Sequence, residues 1–210
     1  MKIVVKNLVK NFKNSSVLSN VNIEFDSGNI YGLYGRNGSG KSVFLKLLCG
    51  LYIPTEGIIL YDGKEYNFRN EFPTFVGALI ENPNFFSDLS GFDNLKLLAN
   101  IKKKINNDQI EYVLDIVNLS KEKDKIYNKY SLGMKQKLGI AQAIMEDQDV
   151  IILDEPFNGI DELSVKKIKK YLLELKKRGK IVILSSHIKD DLEEICDKIY
   201  YFENGNVFKK

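Results

Sequence analysis

Arginine is scarce in this 210-residue chain: Arg36, Arg69 and Arg178 are three among 31 basic residues. Bidentate reading of phosphates or bases leans on the guanidinium fork, so the composition does not ask for a nucleic-acid partner. The 28 acidic residues leave a formal charge of only +3. Cysteine occurs twice, at Cys49 and Cys196, without metal-ligand spacing, and two cysteines so far apart suit a reducing compartment. The start, Met1-Lys2-Ile3-Val4-Val5-Lys6, lacks the apolar stretch and small-residue cleavage site of a signal peptide. No run approaches the roughly 18 apolar residues of a bilayer-spanning helix. If the protein serves a membrane, another chain must supply the spanning part. There is no repeat, low-complexity tract or tail. What remains, 44% hydrophobic and 28% charged, is enough for one domain or one domain carrying a smaller subdomain.

One stretch organises the rest: Gly35-Arg36-Asn37-Gly38-Ser39-Gly40-Lys41-Ser42. It follows the strand-like run Ile30–Tyr34 and opens into Val43-Phe44-Leu45-Lys46-Leu47-Leu48, so a strand, a glycine-rich turn and an apolar helix succeed one another without a gap. Glycines let successive backbone N–H groups face inward on phosphate oxygens, and the helix N-terminus adds its positive dipole end. Lys41 can reach β- and γ-phosphates, and the Ser42 hydroxyl can ligate magnesium. The spacing predicts a nucleoside triphosphate site.

Before this loop the chain reads as short strands at Ile3–Val5 and Val21–Phe25, with a polar loop, Asn11–Ser16, between them. Phe12 in that loop either stacks on a nucleotide base or fills apolar space. After the loop, a helix ends near Cys49-Gly50, a strand over Gly57–Lys64 closes in an Asp-Gly turn, and a short strand covers Phe75–Ile80. Helical spacing then takes over from about residue 85 to residue 137, with Leu95, Leu98 and Ala99, then Ile110, Val113, Leu114 and Val117. This predicts a helical insert of about 50 residues between the strands of an α/β core. A helix is expected from Lys135 to Glu146. Val150–Leu153 is wholly apolar, as a parallel strand covered on both faces should be. A helix over Asp161–Lys177, a strand over Lys180–Ser186 and a hairpin over Lys198–Val207 complete the core.

In a parallel sheet the ligand sits beyond the carboxyl ends of the strands. Leu33-Tyr34 delivers the phosphate loop, Leu153 delivers Asp154-Glu155, and Leu184 delivers Ser185-Ser186-His187, which carries the single histidine. Asp154 can hold magnesium while Glu155 orients or deprotonates the water that attacks the γ-phosphate; His187 is placed to touch either. A small-substrate phosphotransferase would share the phosphate loop. The carboxylate pair after an apolar strand, with a histidine further on, favours ATP hydrolysis coupled to motion.

With these residues in view, the sequence resembles the ATP-binding cassette (ABC) family over essentially its whole length. Gly35–Ser42 is similar to the first nucleotide motif and Val150–Glu155 to the strand-aspartate-glutamate motif. Tyr130-Ser131-Leu132-Gly133-Met134-Lys135-Gln136 resembles the signature sequence, Asn158–Asp161 the following aspartate loop, and His187 falls at the switch histidine. The resemblance implies an α/β phosphate-loop ATPase with a mostly parallel central sheet, an N-terminal antiparallel β subdomain and a helical subdomain inserted at about 85–137 of a single domain spanning 1–210. It implies ATP and Mg²⁺ as ligands. Phe12 would stack on adenine; Gly35, Arg36, Asn37, Gly38, Ser39, Gly40, Lys41, Ser42 and Val43 would hold the triphosphate; Ser42, Glu81 and Asp154 would serve the metal; Lys41, Glu155 and His187 would be catalytic.

The resemblance also implies two ATPase subunits head to tail, a homodimer in the simplest case. Each ATP would lie between one phosphate loop and Ser131 and Gly133 of the other subunit. Such a pair would sit on the cytoplasmic face of the membrane against a separate transmembrane permease, which the helical insert would face. Two departures stand out. Glu81 replaces the usual glutamine, and Leu132 and Met134 replace the usual glycine and glutamine of the signature. The segments Ile80–Pro83 and Tyr130–Gln136 resemble the branch that exports antibiotics and antimicrobial peptides, including bacitracin and lantibiotic self-protection systems. The alternatives are a soluble ABC-type ATPase in nucleic-acid maintenance, and an ATP-gated interaction or sensing module. The first normally needs a long coiled-coil insert or two cassettes, and 210 residues hold neither.

Overall fold

The computed structural model describes residues 1–13, 15–66 and 72–209; Asn14 and Arg69 lie outside the described residues. The chain opens with antiparallel strands β1 (Lys2–Phe12) and β2 (Ser15–Asp26), in register from Lys2 opposite Asp26 to Phe12 opposite Ser15. The polar loop expected over Asn11–Ser16 is therefore mostly strand. Asn11 and Ser16 pair across the ladder, and both are exposed, so polar side chains cost little there. Register shifts along β1 absorb the breaks in alternation that made the pattern look short. β4 (Glu56–Tyr61) pairs with the other edge of β1. Asp62 and Gly63, with φ of 49° and 79°, then return the chain into β5 (Lys64–Glu65), giving a four-stranded sheet in the order β2-β1-β4-β5.

The second sheet is built from β3 (Asn29–Tyr34), β6 (Val76–Leu79), β7 (Val150–Asp154), β8 (Ile181–Ser186), β9 (Lys198–Glu203) and β10 (Asn206–Lys209), in the order β10-β9-β3-β8-β7-β6. Every pairing is parallel except that of β10 with β9. Alternate side chains of its central strands enter two separate cores. Tyr31, Leu33, Val150, Ile152, Ile181 and Ile183 pack with the antiparallel sheet and α1 (Lys41–Leu48). Ile30, Ile151, Leu153, Val182 and Leu184 pack with the helical side. Burial on both faces is why these strands read as unbroken apolar runs.

Between β6 and β7 lie α2 (Gly91–Lys102), α3 (Asn107–Ile116), two single 3-10 turns and α4 (Leu132–Ile144). Each helix starts at a side-chain cap: Ser90 accepts from the Asp93 N–H at 3.0 Å, Asn106 from Gln109 at 3.0 Å and Ser131 from Met134 at 3.2 Å. The cap at Ser131 starts α4 three residues before the expected Lys135, so the signature-like segment is the first turn of a helix rather than its approach. Leu95, Ala99, Ile110, Val113, Leu114 and Val117 are buried as their periodicity predicts. The chain closes with α5 (Glu162–Lys177) before β8 and the short α6 (Lys189–Glu193) after it. Among the described residues no helix is long and apolar enough to cross a membrane.

Candidate nucleotide site

β3, β8 and β7 are adjacent in the sheet, so their carboxyl ends meet: Tyr34 pairs with Ser186, and Ser185 with Asp154. The glycine-rich loop leaves β3 and enters α1 through Gly40, whose φ of 104° suits only glycine; a Cβ there would lie 2.8 Å from Leu18 Cδ2. Gly40 is also the N-cap and offers no side-chain oxygen, and no acidic residue stands in the first turn. The leading N–H groups of α1 and its positive dipole end are thus uncompensated by the chain itself, which is the condition for holding an anion. Lys41 is buried, and its ammonium donates to the carbonyls of Gly35 at 2.6 Å and Arg36 at 3.2 Å, curling the loop around it. Burial pushes its pKa down, while Glu155 and Asp154 pull against that shift. Arg36, Asn37 and Gly38 form the exposed crest, Ser39 lies buried beneath it, and Ser42 and Val43 are half-buried on α1.

Across from the loop, Ser185 ties the Asp154 carboxylate to the backbone of Glu155. Its hydroxyl donates to Asp154 Oδ1 and accepts the backbone N–H of Glu155 at 3.0 Å. Glu155 Oε2 meets His187 Nδ1 at 2.9 Å and accepts from Asn158 Nδ2 at 3.5 Å, while Oε1 lies 3.8 Å from the Lys41 ammonium. Glu155 itself has φ of 46°. Pro156 follows it and disfavours the right-handed helical region, yet the left-handed conformation of a side chain this size still costs on the order of 1 kcal/mol. Strain of this kind persists only where the surroundings enforce it.

Ser39 Oγ and Glu155 Oε1 are buried and, among the described residues, lack a hydrogen-bond partner. Orphaned oxygens at this spot fit a site completed by a ligand. Among the described residues no group of three or more His, Cys, Asp or Glu forms a metal cage. Magnesium does not need one: it takes one or two protein ligands and fills its shell with substrate phosphates and water. Ser42 and Asp154 are donors of the right kind for that arrangement.

The remaining predicted residues fall in three places. Phe12, at the end of β1, packs edge-on against Tyr52 with centroids 5.4 Å apart, and Lys10 lies 4.8 Å above its ring. Glu81, with φ of 59°, pairs with Lys46 of α1 at 2.5 Å. Ser131 and Gly133 begin α4, exposed and half-exposed, and among the described residues neither bonds to the phosphate loop. Gly133 abuts the next loop, since a Cβ there would lie 2.3 Å from the Gly159 carbonyl. Sequence reasoning gave no role to Ser185, Lys46 or Gln136. Ser185 stood in view at a strand end, two residues before His187, but nothing in the pattern showed that its hydroxyl would link the Asp154 carboxylate to the Glu155 backbone N–H.

A protein-family profile described as "ABC transporter" matches residues 18–158, from β2 through the loop that carries Glu155 and Asn158. The chain belongs to the ABC transporter family. It is 38% identical to the bacitracin transport ATP-binding protein of Enterococcus faecalis, over 99% of this chain and 68% of that one. It is 42% identical to an uncharacterized ABC transporter ATP-binding protein of Bacillus subtilis, over 98% and 94% of the two chains. Among solved structures, an ATP-binding subunit of an ABC transporter superposes with a TM-score of 0.88 at 28% identity, covering 99% of this chain and 88% of that one. A dimeric bacterial ABC transporter cassette superposes at 0.89 and 25%, covering 99% and 97%. As an ABC protein, this chain is an ATP-binding and ATP-hydrolysing subunit of a transporter.

Proposed function

We propose that this ABC subunit hydrolyses Mg-ATP as one half of a head-to-tail pair and so drives a membrane permease that exports an antibiotic, an antimicrobial peptide or a similar amphiphile. The observation that carries the ATPase reading is the position of Glu155, at the end of β7, with one oxygen on His187 and the other facing Lys41. Lys41 and the N–H groups of α1 receive the triphosphate; Ser42 and Asp154 receive the metal, which supplies charge neutralisation at the phosphates. Glu155 takes the proton of the attacking water, and His187 keeps the carboxylate turned toward it. Phe12, exposed beside Tyr52, is read as the ring that stacks on adenine. Glu81 approaches the metal only after leaving Lys46.

The pairing is supported by Ser131 and Gly133: the exposed start of α4 is a second helix N-terminus, free of acidic residues in its first turn, and it bonds to no part of its own phosphate loop among the described residues. A second copy supplies the triphosphate it would hold. The insert of α2 and α3, within about 85–137, is read as the subdomain that meets the permease. The cargo class rests on the relatives named for bacitracin transport and, in Streptococcus pyogenes at 33% identity over 97% of this chain, for lantibiotic transport. The test is ATPase activity of the subunit purified from membranes with its co-purifying integral protein and reconstituted in vesicles. Stimulation by a cationic peptide antibiotic supports the reading. Activity indifferent to every such peptide removes the cargo, and absence of any integral membrane protein removes the permease.

A further inference from the structure

We propose that Gln136 is the positioning residue for Glu155, fixing the backbone of the candidate base from the neighbouring helix. Gln136 lies on the buried side of α4, 8% exposed, and its Nε2 donates to the Glu155 backbone carbonyl at 3.1 Å. Glu155 is held at a left-handed φ, 46°, without being glycine. Its peptide groups are gripped from two sides: the N–H by Ser185 of β8, and the carbonyl by Gln136 of α4 at 3.1 Å together with the Asn158 N–H at 3.3 Å. Fixing both flanking peptides determines φ and ψ of the residue between them, and through them the direction of its side chain. Without Gln136 the carbonyl keeps the Asn158 N–H of its own turn but loses its tie to α4, and the carboxylate shifts from its place between Lys41 and His187.

Gln136 does not act on an otherwise loose loop. The adjacent Lys137, also buried, donates to Asp161 Oδ2 at 3.2 Å and Ser164 Oγ at 3.3 Å. Gly133 sits against the Gly159 carbonyl. The first turns of α4 thus bear on Glu155, Gly159 and Asp161 in the segment between β7 and α5. Gln136 is the α4 side chain that hydrogen-bonds to the residue whose carboxylate faces the phosphate loop.

The inference rests on Glu155 acting as the base, so the experiment measures both. Gln136→Met keeps the volume and removes the donor; Gln136→Glu keeps the shape and sets an acceptor against the carbonyl. Full-length chain with each substitution, alone and combined with Glu155→Gln, is compared for single-turnover ATP hydrolysis, ATP dissociation constant and thermal midpoint. The expected result is a fall in turnover of about tenfold or more, since small displacements of a catalytic group cost up to about 10²-fold. ATP affinity should stay within about twofold. In the Glu155→Gln background the Gln136 substitutions should add almost nothing, because the base they aim is already gone. Unchanged turnover in both Gln136 variants, beside an inactive Glu155→Gln protein, overturns the positioning role and leaves the base in place. Losses that multiply in the double variants, or that track ATP affinity, overturn it as well. Near-normal turnover by Glu155→Gln itself removes the base, and the role of Gln136 with it.

Discussion

Lys46 of α1 and Glu81, just past the end of β6, form an ion pair 2.5 Å long that ties the helix carrying the phosphate loop to the segment leading toward the helical insert. The two ends are unequally exposed, 18% for Lys46 and 60% for Glu81. Lys46 also lies 5.4 Å over the Tyr52 ring, which in turn meets Phe12. The hydrogen bond to Glu81 raises the pKa of Lys46, and that contact occupies the Glu81 carboxylate.

That relationship predicts an altered magnesium dependence in Glu81→Gln. A carboxylate interacts with the metal more strongly than an amide, at some electrostatic cost beside the triphosphate, and here it must first part from Lys46. Stability should change by only ~0.2–1 kcal/mol, the usual worth of an exposed pair. The magnesium concentration for half-maximal hydrolysis should move, with nucleotide binding retained. Superimposable magnesium titrations of the two proteins would take Glu81 out of the metal's surroundings.

The paired arrangement predicts that Ser131→Arg leaves ATP binding by the monomer largely intact but suppresses the ATP-dependent dimer. The substitution sets a bulky cation where the partner's γ-phosphate would dock, and it also removes the cap of α4, whose loss costs about 1 kcal/mol. Ser131→Asn, which keeps a capping oxygen, separates the two effects. Sedimentation equilibrium with a non-hydrolysable ATP analogue reads the outcome; an undiminished Ser131→Arg dimer refutes the assignment.

A third expectation concerns Asp161, which caps α5 and accepts from the Ser164 N–H at 2.9 Å, the Ser164 hydroxyl at 2.8 Å and Lys137. These bonds, the Ser164 N–H foremost, hold its pKa down from 3.8 to about 2. A depressed carboxylate contributes stability that is present above its unfolded pKa and lost as pH falls through the folded one. Asp161→Ala should therefore cost about 1 kcal/mol at pH 7. The gap from the parent protein should narrow as pH drops from 3.8 toward about 2. Urea midpoints across that range check it, and a constant gap would mean that the cap owes nothing to its charge.

The parts of the molecule written in local pattern were legible before any coordinates. Gly35–Ser42 announced itself by fixed spacing between a strand and a helix, and Val150–Leu153 by an apolar run that only a doubly covered strand explains. The helix over Asp161–Lys177 and the buried positions of α2 and α3 were read from periodicity. Three features were not legible, each for a physical reason. The length of β1 and β2 was hidden because their far ends face solvent and carry no alternation. The start of α4 was missed because the signature-like turn is exposed at Leu132, 68% accessible, and so shows no buried stripe. The bonds from Ser185 and Gln136 to Glu155 join residues 30 and 19 positions apart, and no local pattern encodes a tertiary hydrogen bond.

The last expectation bears on the division of labour between Asp154 and Glu155. They are consecutive on β7, so the strand aims them differently: Asp154 back onto Ser185, Glu155 outward between Lys41 and His187. Glu155→Gln keeps size and hydrogen-bonding capacity and removes the anionic base. ATP affinity should be nearly unchanged, because Lys41 and the start of α1 are untouched; loss of the carboxylate beside Lys41 also relieves repulsion toward the triphosphate. Hydrolysis should fall on the order of 10²-fold or more, the usual contribution of general acid–base catalysis. ATP-bound dimers should then accumulate. Asp154→Asn should instead weaken magnesium-dependent nucleotide binding together with turnover, since it alters the donor that Ser185 orients. Single-turnover hydrolysis measured beside nucleotide binding on the same variants separates the two roles. Near-normal turnover by the Glu155→Gln protein at saturating ATP would sink the assignment of Glu155, and equal binding by parent and Asp154→Asn proteins across a magnesium titration would sink that of Asp154.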